Sequence, residues 1–387
     1  MKIGILTLPL HTNYGGILQA YALQTVLERM GYEVVVYNLD RTPNSCSIFG
    51  VLYHFVRRTL RTVTTLKPQR FYNIKKEAEY QYKIYLEKVQ HTQRFIDKYI
   101  HAYYLKDYVS QIVESNVDCV VIGSDQIWDS RNGASISGSV SNAFLPFVSD
   151  RIKRFSYSAS FGKNTWNYTQ EETDIAKIAI KDFVGVSVRE FSGVELCREY
   201  LDIDAQVHVD PTMLLTADDY INEVNLKEEE TSQGDLLVYI LDNSEEKAQV
   251  IDYIEATLHL TRFYVNNNAP QIIDGKENLA GIAQPPVEKW LRGFWDAQFV
   301  ITDSFHACVF SILFHKPFIA IGNKRRGLTR FLTLLSCFGF ENRIIENVAD
   351  VKNMDLREML DFSHVDYILS KERERSYQYI YNCINNH

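Results

Sequence analysis

At 387 residues the chain exceeds what one hydrophobic core usually supports, so two domains are the first expectation. Hydrophobic residues at 46% and charged residues at 23% describe an ordinary globular protein and exclude a disordered one. The net charge of −8, with no DNA- or RNA-binding motif to set against it, argues against nucleic acid as a partner.

A βαβ unit opens the chain. Residues 2–8 read as a strand, 9–16 as a loop and 33–39 as the next strand. Between them lies a helix over 17–30 with Leu18, Ala22, Val26 and Met30 on one face. Gly31 ends that helix where a left-handed residue is needed. The loop His11-Thr12-Asn13-Tyr14-Gly15-Gly16 is not the GxGxxG dinucleotide fingerprint; its paired glycines instead let a ligand approach the helix amino terminus closely. Met1-Lys2 leads into the first strand without the pattern of a signal peptide. The longest apolar stretch, 299–322, is broken by Asp303, His306, His315 and Lys316. The expectation is a cytoplasmic chain.

Charge is unevenly spread. Residues 51–107 carry twelve Lys/Arg against five Asp/Glu, a balance of +7 that leaves about −15 for the rest. There Arg57, Arg58, Arg61, Arg70, Lys75 and Lys76 are interleaved with Tyr53, Phe55, Phe71 and Tyr72. Two readings stand: a helical insertion that lies on an anionic membrane surface or anionic acceptor, or a helical excursion whose charges face water.

The α/β rhythm then resumes. Strands are expected at 119–122, 155–159, 184–188 and 207–209. They run into the loops Gly123-Ser124-Asp125-Gln126-Ile127-Trp128, Ser160-Phe161-Gly162, Arg189-Glu190 and Asp210-Pro211. The acidic, polar stretch 216–234 reads as a linker. A second set follows with strands at 236–241, 262–265, 299–301 and 317–321, and 355–363 and 370–384 read as helices. Six cysteines (46, 119, 197, 308, 337, 383) show no metal spacing and suit reduced core thiols.

Two Rossmann-like halves imply a cleft between them. The stretch FVITDSFHACVFSILFHKPFIAI, 299–321, places His306 in the first turn of a helix at the carboxyl end of a strand. Ligands collect at that edge of open α/β sheets, and helix amino termini favour anions.

Six segments in order, MKIGILTLPLHTNYGGILQAYALQ, VIGSDQIWD, FSYSASFG, SVRE, HVDPTMLL and ITDSFHACVFSILFHKPF, resemble the polysaccharide pyruvyl transferase family across nearly the whole chain. The resemblance implies an α/β fold similar to the GT-B glycosyltransferases: two Rossmann-like domains facing a cleft. Residues 1–215 would be the acceptor-side domain with a helical insertion at about 50–110. Residues 216–345 would be the donor-side domain, and 346–387 helices packing back across both. It also implies transfer of pyruvate from phosphoenolpyruvate to a sugar as a cyclic ketal, with release of phosphate. The family's conserved His falls on His306 and its phosphoenolpyruvate-binding Arg on Arg189. Many members carry Arg where this chain has Ser304, which offers only a hydroxyl.

Side-chain chemistry fills in the roles. A His at a helix amino terminus is expected in its neutral, proton-accepting form, and His306 is assigned as the acid/base group; the plainer alternative is a His with a capping role only. Arg189 can grip a carboxylate or phosphate with its planar fork, unless it merely pairs with a neighbour such as Glu190. Lys324, Arg325 and Arg326, with Arg330 one turn on, form a second anion site or else a solvated turn. For the acceptor sugar the candidates are Asn13, Gly15, Gly16, Ser124, Asp125 and Trp128, an amide or carboxylate for paired hydroxyls and a ring for the apolar sugar face. Trp128 can equally be core packing, and Asp125 can be a helix cap. His11 and Asp303 are further candidates, whereas His208 and Asp210 read as structural residues at the domain border. No HExxH or CxxC pair is present, so no metal is expected, and no cofactor beyond the phosphoenolpyruvate donor. The partners expected are that donor and a glycan acceptor. A lipid-linked acceptor, met at the inner membrane face, would explain the basic segment. The alternatives are a nucleotide-sugar glycosyltransferase of the same architecture and a non-catalytic glycan-binding or assembly protein.

Overall fold

The computed structural model describes residues 1–40, 74–267, 272–273, 276–277, 281–322 and 327–385. The first sheet is built from β1 (Lys2–Leu6), β2 (Glu33–Leu39), β3 (Ala102–Leu105), β4 (Cys119–Ile122) and β5 (Lys153–Ser156), in the order β3-β2-β1-β4-β5 and parallel throughout. Bridges from Phe155 to Gly185 and from Ala159 to Val188 extend it into the parallel pair β6 (Ser187–Val188) and β7 (Gln206–Val207). Helices cover both faces of such a sheet, which is why β4 reads as unbroken Cys, Val and Ile and β1 is buried at every position from Ile3 to Leu6 rather than alternating.

The first helix, α1 (Tyr14–Arg29), starts three residues earlier than the sequence predicts. Asn13 takes the extended backbone of an N-cap, and Tyr14 is pinned by stacking on Trp290 (5.4 Å) and by donating its hydroxyl to the Pro285 carbonyl. Gly15 and Gly16 therefore lie in the first helical turn, not in the loop. The basic region also differs from expectation. Residues 102–105 are an edge strand in register with Val36–Leu39, so no helical insertion reaches 110; the excursion ends with the helix Ile74–Tyr99. That helix buries Val89, Thr92, Phe95 and Ile96, with Phe95 edge-on to Tyr21 of α1. Arg57, Arg58, Arg61, Arg70, Tyr53, Phe55, Phe71 and Tyr72, and the side chains of Lys75 and Lys76, lie outside the described residues.

The second sheet contains β8 (Leu236–Tyr239), β9 (Arg262–Phe263), β12 (Phe299–Thr302), β13 (Phe318–Ile321) and β14 (Ile344–Ile345). Its order is β14-β13-β12-β8-β9, again all parallel; β10 (Ile272–Ile273) and β11 (Lys276–Glu277) form a separate antiparallel pair.

The segment read as a linker is structured. Thr216 and Asp219 form a capping box on the helix Ala217–Glu223, and Arg29 of α1 pairs with Asp219 and Glu223. Polar composition misleads here because the charges meet partners across the surface while Tyr220 and Leu226 are buried. The helix expected over 355–363 is absent before Phe362; the segment turns there with Leu356 buried and Met359 93% exposed. A short capped helix, Val348–Lys352, and the long Phe362–Asn385 stand there instead. The long helix returns to the first sheet: Arg373 donates to the Met213 and Leu215 carbonyls, and Tyr379 to that of Ser156. One buried cluster runs through both lobes and includes Ile17, Tyr14, Trp290, Phe310 and Tyr220.

Candidate active site

Both sheets turn the carboxyl ends of their strands toward the same cleft. From the second lobe, β12 ends at Thr302, whose hydroxyl donates to the Tyr239 carbonyl and accepts from the Ser304 amide. That bracket sets Ser304 as the N-cap of the helix Phe305–Leu313 and fixes His306 in its first turn. From the first lobe, α1 presents Gly15 to the imidazole so closely that a Cβ there would clash with Nδ1, Cγ and Cε1 of His306. Only glycine fits beneath that ring.

His306 and Arg189 meet through one carboxylate. Asp210 follows β7, and its Oδ1 accepts from the amide and hydroxyl of Thr212. Its Oδ2 accepts from Arg189 Nη1 (2.6 Å) and Ser124 Oγ (3.0 Å), and lies 3.6 Å from His306 Nε2. Burial opposes ionisation of Asp210, but His306 and Arg189 outweigh it and hold the carboxyl well below the usual carboxylate range. Phe305 covers the Arg189 guanidinium at 4.5 Å and lies 5.6 Å from that of Arg330. Two chambers of about 410 and 420 Å³ open on His306, Asn13, Leu241 and Ser304. The first continues past Asp125, Arg131, Lys163 and Arg330; the second past Tyr239, Asn266, Asn267 and Gln284.

Residues 13–325 match the family described as polysaccharide pyruvyl transferase. The chain belongs to that family. No curated protein matches it. Among solved structures, the S. aureus MnaA–UDP co-structure is 12% identical, with 99% of this chain and 97% of that one covered at a TM-score of 0.50. A putative UDP-N-acetylglucosamine 2-epimerase from Listeria monocytogenes is 12% identical (100% and 96% covered, TM-score 0.49). Arabidopsis thaliana UGT89C1 complexed with UDP-L-rhamnose is 13% identical (97% and 94%, 0.44). At such identities the likeness concerns fold, and the fold of this pyruvyl transferase family member is GT-B-like: two Rossmann-like lobes across a cleft.

Several candidates converge on the cleft. Asn13 donates from Nδ2 to Asp125 Oδ2 (3.0 Å), and Gly16 lies against both. Asp125 holds a left-handed backbone (φ +66°), which costs about 1–3 kcal/mol outside glycine, and it caps no helix; Asp129 caps the next one. Ser304 lines both chambers and makes no side-chain cap. Arg330 is buried on the wall of the first chamber.

Other assignments are corrected. Trp128 is fully buried, stacked on Phe144 at 4.8 Å and 8°, so it belongs to the core and faces no sugar. Ser124 is also fully buried and serves Asp210 instead of an acceptor. Asp303 accepts from Lys247 and the amides of Leu241 and Asp242, which fixes the loop after β8. Arg189 pairs with Asp210, not Glu190; the latter accepts from Ser160 and the amides of Phe161 and Gly162, and burial raises its pKa. Lys324, Arg325 and Arg326 lie outside the described residues. His11 bonds locally to Thr12.

Asp210 stands at the domain border as its sequence suggests, and its nearness to His306 is what sequence reasoning missed. An Asp before Pro at a strand end reads as a turn former; only its company, an Arg and a Ser from two other strand ends, marks it otherwise. Its neighbour His208 is structural, with Nδ1 2.9 Å from the Ser187 hydroxyl and the ring 4.5 Å from Tyr379. Burial, with Arg375 adding to it, pushes this imidazole down to about 3. The unfolded chain therefore binds the extra proton between pH 6.5 and about 3, and stability falls as pH drops through that window by roughly 3–5 kcal/mol. His208→Gln is expected to flatten that segment of the stability curve measured by urea titration; an unchanged slope refutes the assignment.

Proposed function

We propose that the chain transfers pyruvate from phosphoenolpyruvate to two hydroxyls of one sugar in a surface polysaccharide or lipid-linked precursor. The observation that carries this reading is the meeting of His306, Asp210 and Arg189 where the two lobes face each other. In the reaction the phosphoenolpyruvate methylene gains one proton, two sugar oxygens bond to its C2, and the C2–O bond to phosphate breaks. The two hydroxyl protons balance that methylene proton and the one leaving with phosphate. His306 carries protons at the reacting carbon and oxygen, with Asp210 orienting its ring. Arg330, joined by Lys324, Arg325 and Arg326, holds the donor's anionic ends, with Ser304 offering a hydroxyl, while Arg189, which lines neither chamber at His306, holds the Asp210 carboxylate in place. Asn13 and Asp125 receive the sugar hydroxyls beside Gly15 and Gly16. No cofactor or metal is needed for these steps. Among the described residues no helix is long and apolar enough to cross a membrane. A lipid-linked acceptor at the inner membrane face would be met by the basic segment at 51–76.

Thermal unfolding with phosphoenolpyruvate and, separately, with UDP-sugars tests the donor. Phosphoenolpyruvate at a hundred times its Kd should stabilise by about 2.7 kcal/mol. Protection by a UDP-sugar with none from phosphoenolpyruvate replaces this reading with a glycosyltransferase.

A further inference from the structure

A cavity of about 430 Å³ lies on the far side of Arg189, Phe305 and Arg330 from the His306 chambers, within the size range of small-molecule sites. Both lobes build it: Phe191, Val194 and Val207 from the first, Phe305, Leu334 and Phe338 from the second. Glu372 and Arg375 of the long terminal helix stand at its edge and pair with each other. The Phe191 amide donates to the Thr333 hydroxyl (3.2 Å), closing the seam between lobes beside it.

Its walls are mainly apolar, with Arg189, Asp210, Arg330, Glu372 and Arg375 as the charged side chains among them. Arg189 lines this cavity and neither chamber at His306, and it is 3% exposed. Nη1 is committed to Asp210 and the guanidinium face to Phe305, while Asp125 stands 3.8 Å from Nη2. Nε and Nη2 have no hydrogen-bond acceptor among the described residues. Buried N–H groups of a cation normally find acceptors, so the cavity combines an apolar body with an unmet demand for one.

We propose that this cavity is a second binding site, for a small amphipathic carboxylate whose apolar body lies against Phe191, Val194, Leu334 and Phe338 and whose carboxylate accepts from Arg189. Such a ligand shares Arg189 with Asp210 and so reaches the catalytic cluster from behind. Its binding and that of the donor must then influence each other reciprocally.

The test uses the full chain with octanoate, octanol and acetate as probes. Millimolar octanoate is expected to raise the unfolding midpoint by about 2 °C or more, with one octanoate per chain by calorimetry, while octanol and acetate do nothing at equal concentration. Val194→Trp on the wall and Ser336→Trp at the exposed rim should abolish the octanoate shift. Neither residue touches the His306 chambers, so any phosphoenolpyruvate shift should persist in both, which separates failure of this site from failure of the proposed donor. No octanoate binding to the wild type, an equal response to octanol, or a shift that survives both substitutions each overturns the proposal. If both variants fail to fold, calorimetry on the wild type decides alone.

Discussion

His306→Ala protein is expected to release phosphate from phosphoenolpyruvate and acceptor at least about a hundredfold more slowly than wild type, with its fold intact. The fold should survive because the imidazole is not a structural keystone. Its neighbours are the Gly15 backbone, the Phe305 ring at 5.2 Å and an Asp210 carboxylate that keeps Ser124, Thr212 and Arg189 without it. Removing the ring opens space beside the chambers and strands no buried charge. Thermal protection by phosphoenolpyruvate should therefore remain close to wild type while turnover collapses. The same variant separates the enzyme from a glycan-binding protein, the reading that Ser304 in place of Arg keeps open. Turnover within tenfold of wild type would remove His306 from the chemistry.

Asp210→Ala should behave in the opposite way, lowering stability by roughly 3–5 kcal/mol in denaturant unfolding. Arg189 is nearly inaccessible, and the one hydrogen bond of its guanidinium among the described residues goes to this carboxylate. Taking the carboxylate away leaves a buried cation without its close ion pair, Asp125 standing at 3.8 Å, and takes acceptors from Ser124 and Thr212 as well. Asp210→Asn should recover part of the loss, since the amide oxygen can still serve Thr212. Because the folded pKa is depressed, this stabilisation is complete above the ordinary carboxylate range and is lost only as pH falls far below it. A loss under about 1 kcal/mol would mean that the cluster is solvated or dispensable.

Much of this was legible in the residues themselves. Parallel strands buried on both faces announce themselves as short Val/Ile/Leu runs, and β1, β4, β8, β12 and β13 all fall where such runs occur. His306 was placed correctly because strand, N-cap and helix follow one another within seven residues. What escaped reading depends on distant neighbours. Asp210, Ser124 and Arg189 come from the ends of β7, β4 and β6, and nothing in their local spacing tells that they share one oxygen. Trp128 sits beside polar Asp125 and Gln126 in sequence, yet its ring turns inward onto Phe144. The strand 102–105 was hidden because two of its four side chains, Tyr103 and Tyr104, are exposed at a sheet edge within a charged region.

The absence of a side chain at residue 15 reaches beyond its own helix turn. His306 belongs to one half of the molecule, but the flat seat it rests on and the acid beside it belong to the other. Severed anywhere between residues 216 and 298, neither fragment would inherit a working centre, so the chemistry is a property of the assembled pair.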